Sequence, residues 1–211
     1  MRRTLAWAGF AFGLAAILLQ ASLTFPASAE AGRSPVESVI FFFSFFTILS
    51  NCFLVLVYAA EVFASVAWLG FFRRVQVIGF GLPAITLVMG IYHFLLAPLW
   101  APEGWWLVAD WSLHYATPVF FILWWALFVA DGSLGWRLLS YWLISPVIYL
   151  AYVMARGAAT GEYPYHIFDV PSLGLPPVVS NIGFVVLLFL LLSAAAIGAD
   201  KLLARKRIRP A

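Results

Sequence analysis

The sequence predicts an all-α polytopic membrane protein, a single domain over residues 1–211 with six transmembrane helices in one bundle and both termini cytoplasmic. The chain is 64% hydrophobic and only 10% charged, whereas soluble proteins carry about 25% charged residues. Its apolar residues form continuous runs close to the roughly 20 residues that cross a bilayer. Because these runs do not alternate with a period of two, a transmembrane barrel is disfavoured.

Six runs are predicted to be transmembrane helices: residues 5–24, 36–60, 75–98, 106–130, 136–156 and 175–198. The short connections between them favour one compact bundle and leave little sequence for a soluble domain. The first run lies between Met1-Arg2-Arg3 and Ala27-Ser28-Ala29, an arrangement that also resembles a secretory signal with its cleavage site. It is longer than the about 7 to 15 residues of a signal core, which favours a retained first helix.

The basic residues indicate the orientation, because cytoplasmic loops near membrane ends are enriched in Lys and Arg. With the amino terminus inside, ten basic residues are cytoplasmic: Arg2, Arg3, Arg73, Arg74, Arg137, Lys201, Arg205, Lys206, Arg207 and Arg209. Arg33 and Arg156 are on the outer side. This asymmetry explains the net charge of +3 without a nucleic-acid partner. The basic tail is either a topology anchor or a contact for acidic lipid headgroups.

Polar residues recur at helical spacing within three of the runs. Residues three or four positions apart share a face, and the stripes are Ser44, Thr47 and Asn51; Asp110, His114 and Thr117; and, more weakly, Thr86, Gly90 and His93. At about 1.5 Å per residue, Thr47 and His114 lie roughly 16 and 12 Å below the outer boundary. Polar groups at such depths face the bundle interior or a wet cavity, because lipid cannot satisfy them. The stripes predict a polar pocket that opens outward, near the loop that contains His166.

Thr47 and His114 are the candidate catalytic residues. If they meet across the bundle, the imidazole can remove the hydroxyl proton and the oxygen can attack an ester carbonyl. Asp110, one turn before His114, is placed to orient the ring, and Asn51 is placed to donate to the oxyanion. Pro118 cannot donate to the carbonyl of His114, which predicts a kink beside the imidazole. Each polar residue also has a plainer interpretation as a partner in helix packing.

Other chemistry has weaker support in the sequence. There is no G-x-S-x-G elbow, no H-E-x-x-H, no pair of cysteines and no phosphate-binding glycine loop. The lone Cys52 is interpreted as a small buried hydrophobe. No metal motif is present, although His93, His114 and Asp110 could meet around a metal in three dimensions. Two further hypotheses therefore stay open: a non-catalytic lipid-, quinone- or metal-binding protein or small transporter with an outward-facing pocket, and a bundle whose polar stripes only fix helix packing.

Three segments carry a family resemblance. The segments FFSFFTILSN (42–51), LHYATP (113–118) and GEYPYHIFDV (161–170) resemble the bacterial branch of the androgen-induced membrane protein family, whose animal members are threonine-dependent lipid hydrolases. The resemblance extends over nearly the whole six-helix layout. It implies a location in the bacterial inner membrane, with the site open toward the periplasm.

The resemblance also implies a site and a substrate. Thr47 matches the family's nucleophile and His114 its partner histidine just before a proline. Family members of this kind cleave fatty acid esters of hydroxy fatty acids within the membrane, without a metal or organic cofactor. In this chain Asp110 stands where the animal pattern has an additional His shortly before His114. The expected supporting residues are Asp110, Asn51 and His93; the expected substrate contacts are Ser44, Thr117 and His166.

Overall fold

The protein is all-helical over the residues that the structure describes. The structure, a computed structural model, describes residues 1–208, with side chains through Lys206. Its helices are α1 (Arg2–Glu30), α2 (Pro35–Phe43), α3 (Phe46–Val62), α4 (Val75–Ile91), α5 (Gly104–Trp111), α6 (Thr117–Phe128), α7 (Leu138–Thr160), α8 (Val170–Leu173) and α9 (Leu175–Ile208). Turns of 3-10 helix occur at Ala67–Arg73, Ala97–Leu99 and His166–Phe168, and turns of π-helix at Tyr92–Leu96 and Ser112–Ala116.

Five helical segments are long and apolar enough to cross a membrane: Arg2–Glu30, Val75–Leu99, Gly104–Phe128, Leu138–Thr160 and Leu175–Lys206. The bent pair α2 and α3 brings the number to six if the pair counts as one span. The prediction of an all-helical integral membrane protein is therefore confirmed, with five or six possible spans. Arg209 and the side chain of Arg207, which the sequence places on the cytoplasmic side, lie outside the described part of the chain.

The prediction of one continuous helix over 36–60 is wrong. The chain bends by 78° between α2 and α3, where Phe45 adopts an extended conformation with ψ 125°. The hydroxyl of Ser44 donates to the Ile40 carbonyl at 2.6 Å, and the hydroxyl of Tyr149 on α7 donates to the Ser44 carbonyl at 2.9 Å. Side chains thus satisfy backbone groups that the break frees, which is the condition for an interrupted helix at membrane depth.

The two π turns each end just before a proline-containing segment. The turn Tyr92–Leu96 precedes Pro98, and the turn Ser112–Ala116 precedes Pro118. Because proline cannot donate a helical hydrogen bond, the preceding turn widens to admit one more residue per turn. The sequence predicts a kink beside His114, and the observed irregularity there is this π turn.

Small residues let α1 pack closely against α3. Its buried face includes Ala6, Gly9, Gly13 and Ala16, a small-residue stripe of the kind common at membrane helix interfaces. A Cβ atom at Gly9 would lie 2.6 Å from the ring of Tyr58 on α3, so this contact requires glycine. The helix α3 also packs on α4 and touches the π turn at Ser112–Ala116, which brings the segments that carry Thr47 and His114 together.

One end of the bundle gathers the start of α1 and the ends of α3 and α6. Arg2 forms an ion pair with Glu61 at 2.5 Å, and Arg3 donates to the Val62 carbonyl at 2.9 Å. The carboxylate of Asp200, fully buried on α9, accepts the backbone N–H groups of Asp131 and Leu134, both at 3.0 Å. The opposite end contains the loops 31–34, 100–103 and 161–169.

Candidate active site

Thr47 lies in the first turn of α3, directly after the helix break. Its hydroxyl oxygen Oγ1 is 3.3 Å from Nε2 of His114, in the π turn between α5 and α6. The side chains of both residues border one cavity. The structure therefore brings together the two residues that the sequence singles out as nucleophile and base.

Asp110 fixes the orientation of the His114 ring. The Nδ1 atom of His114 is 3.1 Å from the Asp110 carboxylate oxygen Oδ1 and 3.0 Å from the Asp110 backbone carbonyl. Because both partners are acceptors, Nδ1 carries the proton in the neutral ring. The lone pair of Nε2 then faces the Thr47 hydroxyl, which is the tautomer that a general base needs.

Tyr92 completes the surroundings of the imidazole, although the sequence stripes do not include it. Its hydroxyl donates to the second carboxylate oxygen of Asp110, and its ring stacks on the His114 ring with centroids 3.7 Å apart. The carboxylate thus has a partner on each oxygen, as a buried charge requires. The spacing of Thr86 and Gly90 predicts His93 on this face instead of Tyr92. That prediction assumes a regular helix of 3.6 residues per turn, whereas the chain from Tyr92 to Leu96 forms a π turn.

His93 does not support the site. It is exposed, its Nδ1 lies 3.1 Å from the Tyr115 hydroxyl, and it does not border the cavity. The expectation that it supports Thr47 and His114 is wrong, because the π turn directs Tyr92 inward in its place. Within the described residues, no group of three or more His, Cys, Asp or Glu side chains is arranged to hold a metal ion.

Asn51 is buried and its amide nitrogen donates to two carbonyl groups, so the structure gives no support to the prediction that it donates to an oxyanion. Its Nδ2 atom donates to the Thr47 carbonyl at 2.8 Å and to the Leu113 carbonyl at 3.2 Å, and its Oδ1 accepts from the Thr117 hydroxyl at 2.5 Å. The bonds to Leu113 and Thr117 join α3 to the π turn and to the start of α6. Asn51 therefore supports the site by holding the two segments that carry Thr47 and His114 in register.

Ser44 and Thr117 are expected to contact the substrate, but neither residue borders the cavity. Ser44 is fully buried at the helix break, where its hydroxyl contacts the Tyr152 hydroxyl at 3.0 Å. The Thr117 hydroxyl is bound to Asn51. The two hydroxyl groups are therefore engaged in hydrogen bonds within the protein. His166, by contrast, borders the cavity, as the sequence predicts.

Tyr165 is a further site residue that the polar stripes miss. It comes from the loop after α7, and its hydroxyl accepts the backbone N–H of Thr47 at 3.4 Å. The motif YPYH in this loop is the only local signal, and nothing in it indicates which tyrosine faces the site. The same loop packs closely against α7 at Gly157, where a Cβ would lie 2.1 Å from the ring of Tyr163.

The cavity has a volume of about 560 Å³ and reaches from Thr47 to the loops at the end opposite Arg2 and Asp200. Its wall combines the polar groups Thr47, Asp110, His114 and Arg33 with aromatic rings. These rings are Phe41, Phe42, Phe45, Tyr92, Trp100, Trp106 and Tyr165. A volume of this size is in the range that holds drug-sized amphiphiles.

A second, narrow cavity of about 50 Å³ lies on the other side of Thr47, among α4, α7 and α9. Its wall is apolar except for hydroxyl groups, and it shares Thr47, Tyr92, Leu96 and Tyr165 with the larger cavity. Thr47 therefore borders both a larger cavity, whose wall includes several polar groups, and a smaller, more apolar one.

Searches of protein-family models, curated proteins and solved structures found no match for this chain. The central feature of the site is a series of close polar contacts from Thr47 through His114 and the Asp110 carboxylate to Tyr92. This series has the nucleophile, base and orienting-acid order of serine hydrolases, with threonine as the hydroxyl donor.

Proposed function

We propose that the protein is an intramembrane hydrolase of lipid esters, with Thr47 as nucleophile and His114 as general base and then general acid. The observation that carries the proposal is the 3.3 Å contact between Thr47 Oγ1 and His114 Nε2 on the wall of the 560 Å³ cavity. The separation is slightly longer than the 2.6 to 3.2 Å of a working pair, as is usual in the absence of substrate.

The first half-reaction transfers the acyl group to Thr47. As Oγ1 bonds to the ester carbonyl carbon, its proton passes to His114 Nε2 and negative charge develops on the carbonyl oxygen. The bond from carbon to the alcohol oxygen then breaks, and His114 gives the proton to the departing alkoxide. An acyl ester of Thr47 and a free alcohol result.

The second half-reaction hydrolyses the acyl ester and regenerates the free enzyme. A water molecule attacks the acyl carbon and gives a proton to His114, and the bond to Oγ1 breaks as Thr47 regains its proton. The sum is ester plus water giving acid plus alcohol. Every group that moves a proton in these steps belongs to this chain or to water.

The helix break supplies a donor for the oxyanion. The backbone N–H of Thr47 lies in the first turn of α3, where N–H groups have no partner within the helix and the helix dipole favours negative charge. Its bond to the Tyr165 hydroxyl is 3.4 Å long, beyond the usual range for N–H to oxygen. A substrate oxyanion can replace this weak partner and gain a charge-assisted bond.

The proposed setting is the bacterial inner membrane, with six spans, both termini cytoplasmic and the cavity open toward the periplasm. The support is the distribution of Lys and Arg together with the position of the cavity at the end opposite Arg2 and Asp200. A site in the outer half admits an acyl chain from the lipid and water from outside. Through its likeness to the androgen-induced membrane protein family, we propose fatty acid esters of hydroxy fatty acids, or similar esters, as substrates.

The packing beneath the site favours this function over transport. Below Asn51 the bundle interior is filled by large buried side chains, including Leu54, Phe121 and Trp124. A transporter needs polar groups or space that continue to the opposite side. Binding of a lipid without cleavage uses the same cavity, so an experiment must separate binding from chemistry.

A fluorophosphonate probe makes that separation, because it reacts only with an activated hydroxyl. We expect the detergent-purified protein to be labelled, and we expect labelling to disappear in Thr47→Ala and in His114→Ala. The control is Ser112→Ala in the same π turn, whose hydroxyl only bonds back to the Val108 carbonyl; it should keep full labelling. Equal labelling of wild type and Thr47→Ala, with both proteins folded, would remove the hydrolase from consideration.

A further inference from the structure

Arg33 lies at the mouth of the cavity and has spare hydrogen-bonding capacity. It borders the same cavity as Thr47 and His114. Its guanidinium carbon lies 4.2 Å from the centroid of the Phe41 ring, which also borders the cavity. This stacking holds the planar group against an aromatic wall, as is common at arginine sites for anions.

Arg33 shares its carboxylate partner with a second arginine. Arg33 Nη2 contacts Glu162 Oε1 at 2.8 Å, while Arg156 binds the other oxygen of Glu162 at 2.7 Å and its backbone carbonyl at 2.6 Å. One carboxylate is thus shared by two guanidinium groups. The hydrogen bonds from Arg33 and Arg156 lower the pKa of the Glu162 carboxyl, so it stays ionised at neutral pH. The nearby Glu37 carboxylate is exposed and occupied by the Ser34 N–H in a capping box.

The Nε atom of Arg33 is buried and has no hydrogen-bond partner among the described residues. A buried N–H of a charged group without a partner is costly, so such a group commonly marks a place for a ligand. Because Nη2 already contacts Glu162, Nε–H is a donor that remains for an oxygen of a carboxylate or phosphate, and a bond from a charged donor to such an oxygen is strong. Arg156 also has an unpartnered Nε, but it does not border the cavity.

We infer that Arg33 binds the anionic headgroup, a carboxylate or a phosphate, of an amphiphile whose apolar chain occupies the aromatic part of the cavity. The headgroup accepts the Nε–H of Arg33 at the mouth, and the chain extends past Phe45 toward Thr47. As a statement about substrate, the inference rests on the proposed hydrolase function: the ester to be cleaved belongs to a lipid with a negatively charged end. As a statement about binding, it does not depend on any reaction.

The test measures equilibrium binding in the Thr47→Ala background, where no turnover occurs. Radiolabelled oleate, oleyl alcohol and oleoyl lysophosphatidate are the probes, because they share one chain and differ in the headgroup. We expect the protein to bind at least one of the two anionic lipids more tightly than oleyl alcohol. Arg33→Gln should weaken the binding of that lipid at least about tenfold, because it removes a hydrogen bond between charged groups, and should leave oleyl alcohol within about twofold.

Two variants keep the result interpretable. Arg156→Gln also loses a bond to Glu162 but is off the cavity wall, so it should change anion binding by less than about threefold. Arg33→Lys keeps the charge without the Nε–H donor and should give an intermediate loss. The preference between oleate and lysophosphatidate identifies the headgroup. Equal effects of Arg33→Gln on charged and neutral lipids, or equal effects of the Arg33 and Arg156 variants in folded protein, would overturn the inference.

The outcome is separable from that of the proposed hydrolase. If fluorophosphonate labelling fails while the Arg33 effect on anion binding is found, the cavity binds anionic amphiphiles without cleaving them. If labelling succeeds and the Arg33 effect is missing, the proposed hydrolase activity is supported, and Arg33 does not select the substrate by its charge.

Discussion

The chemistry proposed for this protein depends on how one imidazole is held. The His114 ring is bonded through Nδ1 to Asp110, is stacked on Tyr92, and faces Thr47 through Nε2. A base fixed on three sides needs little reorganisation when it accepts a proton, which is the advantage of a preorganised site. The carboxylate of Asp110 also stabilises the imidazolium that forms during the reaction.

The variant Asp110→Asn tests this role. It keeps the size of the side chain but removes the negative charge that stabilises the imidazolium. We expect the rate of fluorophosphonate labelling, followed over time, to fall by about 10²- to 10⁴-fold. Tyr92→Phe keeps the ring stacked on His114 and removes only the hydroxyl bond to Asp110, so its loss should be smaller. If the two variants label at the wild-type rate, Asp110 only packs beside the ring.

The sequence identifies some of these residues and misses others for a physical reason. Thr47, Asp110 and His114 follow from depth, from spacing within one helix and from the family resemblance. The roles of Asn51 and Tyr165 depend on which carbonyl or N–H group lies opposite them, up to 118 residues away in the chain. Spacing along a single helix does not contain that information.

At the scale of the helix, the break between α2 and α3 is the feature that creates the site. It places Thr47 in a first helical turn, where its N–H is free of the helix. The segment 36–60 contains no Gly or Pro after Pro35, so local propensity predicts a continuous helix, and that prediction is wrong. The break is stabilised instead by tertiary contacts with the tyrosines of α7.

The variant Tyr149→Phe tests whether those contacts hold the break. It removes the donor to the Ser44 carbonyl and leaves a buried acceptor unsatisfied, which should lower the free energy of unfolding by about 1–3 kcal/mol. Thermal unfolding in detergent measures the change. Tyr141→Phe, on the same helix but exposed, should stay within about 0.5 kcal/mol of the wild type. Identical unfolding of both variants would show that the break is intrinsic to its own segment.

At the scale of the whole molecule, hydropathy predicts most of the architecture. A bilayer demands long apolar segments with internally satisfied backbones, so five of the predicted runs coincide with helical segments of the structure to within a few residues at most ends. The largest differences are at the ends of α1 and α9, which extend beyond the apolar runs to Glu30 and Ile208. At both ends the helix continues into less apolar sequence, and hydropathy alone does not predict helical structure in such sequence.

The proposed orientation is testable with cysteine accessibility in right-side-out membrane vesicles. In a Cys52→Ala background, Ser172→Cys at the cavity end should react with a membrane-impermeant maleimide, and Ser133→Cys at the opposite end should react only after the vesicles are opened. Both serines are exposed. The expectation follows from the ten basic residues assigned to the cytoplasmic side. The reverse pattern would show that the cavity opens toward the cytoplasm.

The proposed mechanism depends on Thr47 acting as a nucleophile, and mapping the site of the fluorophosphonate adduct tests this most directly. Peptide mass spectrometry of the labelled wild-type protein should place the phosphonyl group on Oγ1 of Thr47, with one adduct per chain and none after His114→Ala. An adduct on any other residue, or an unmodified Thr47 in folded protein at saturating probe, would contradict the proposed mechanism.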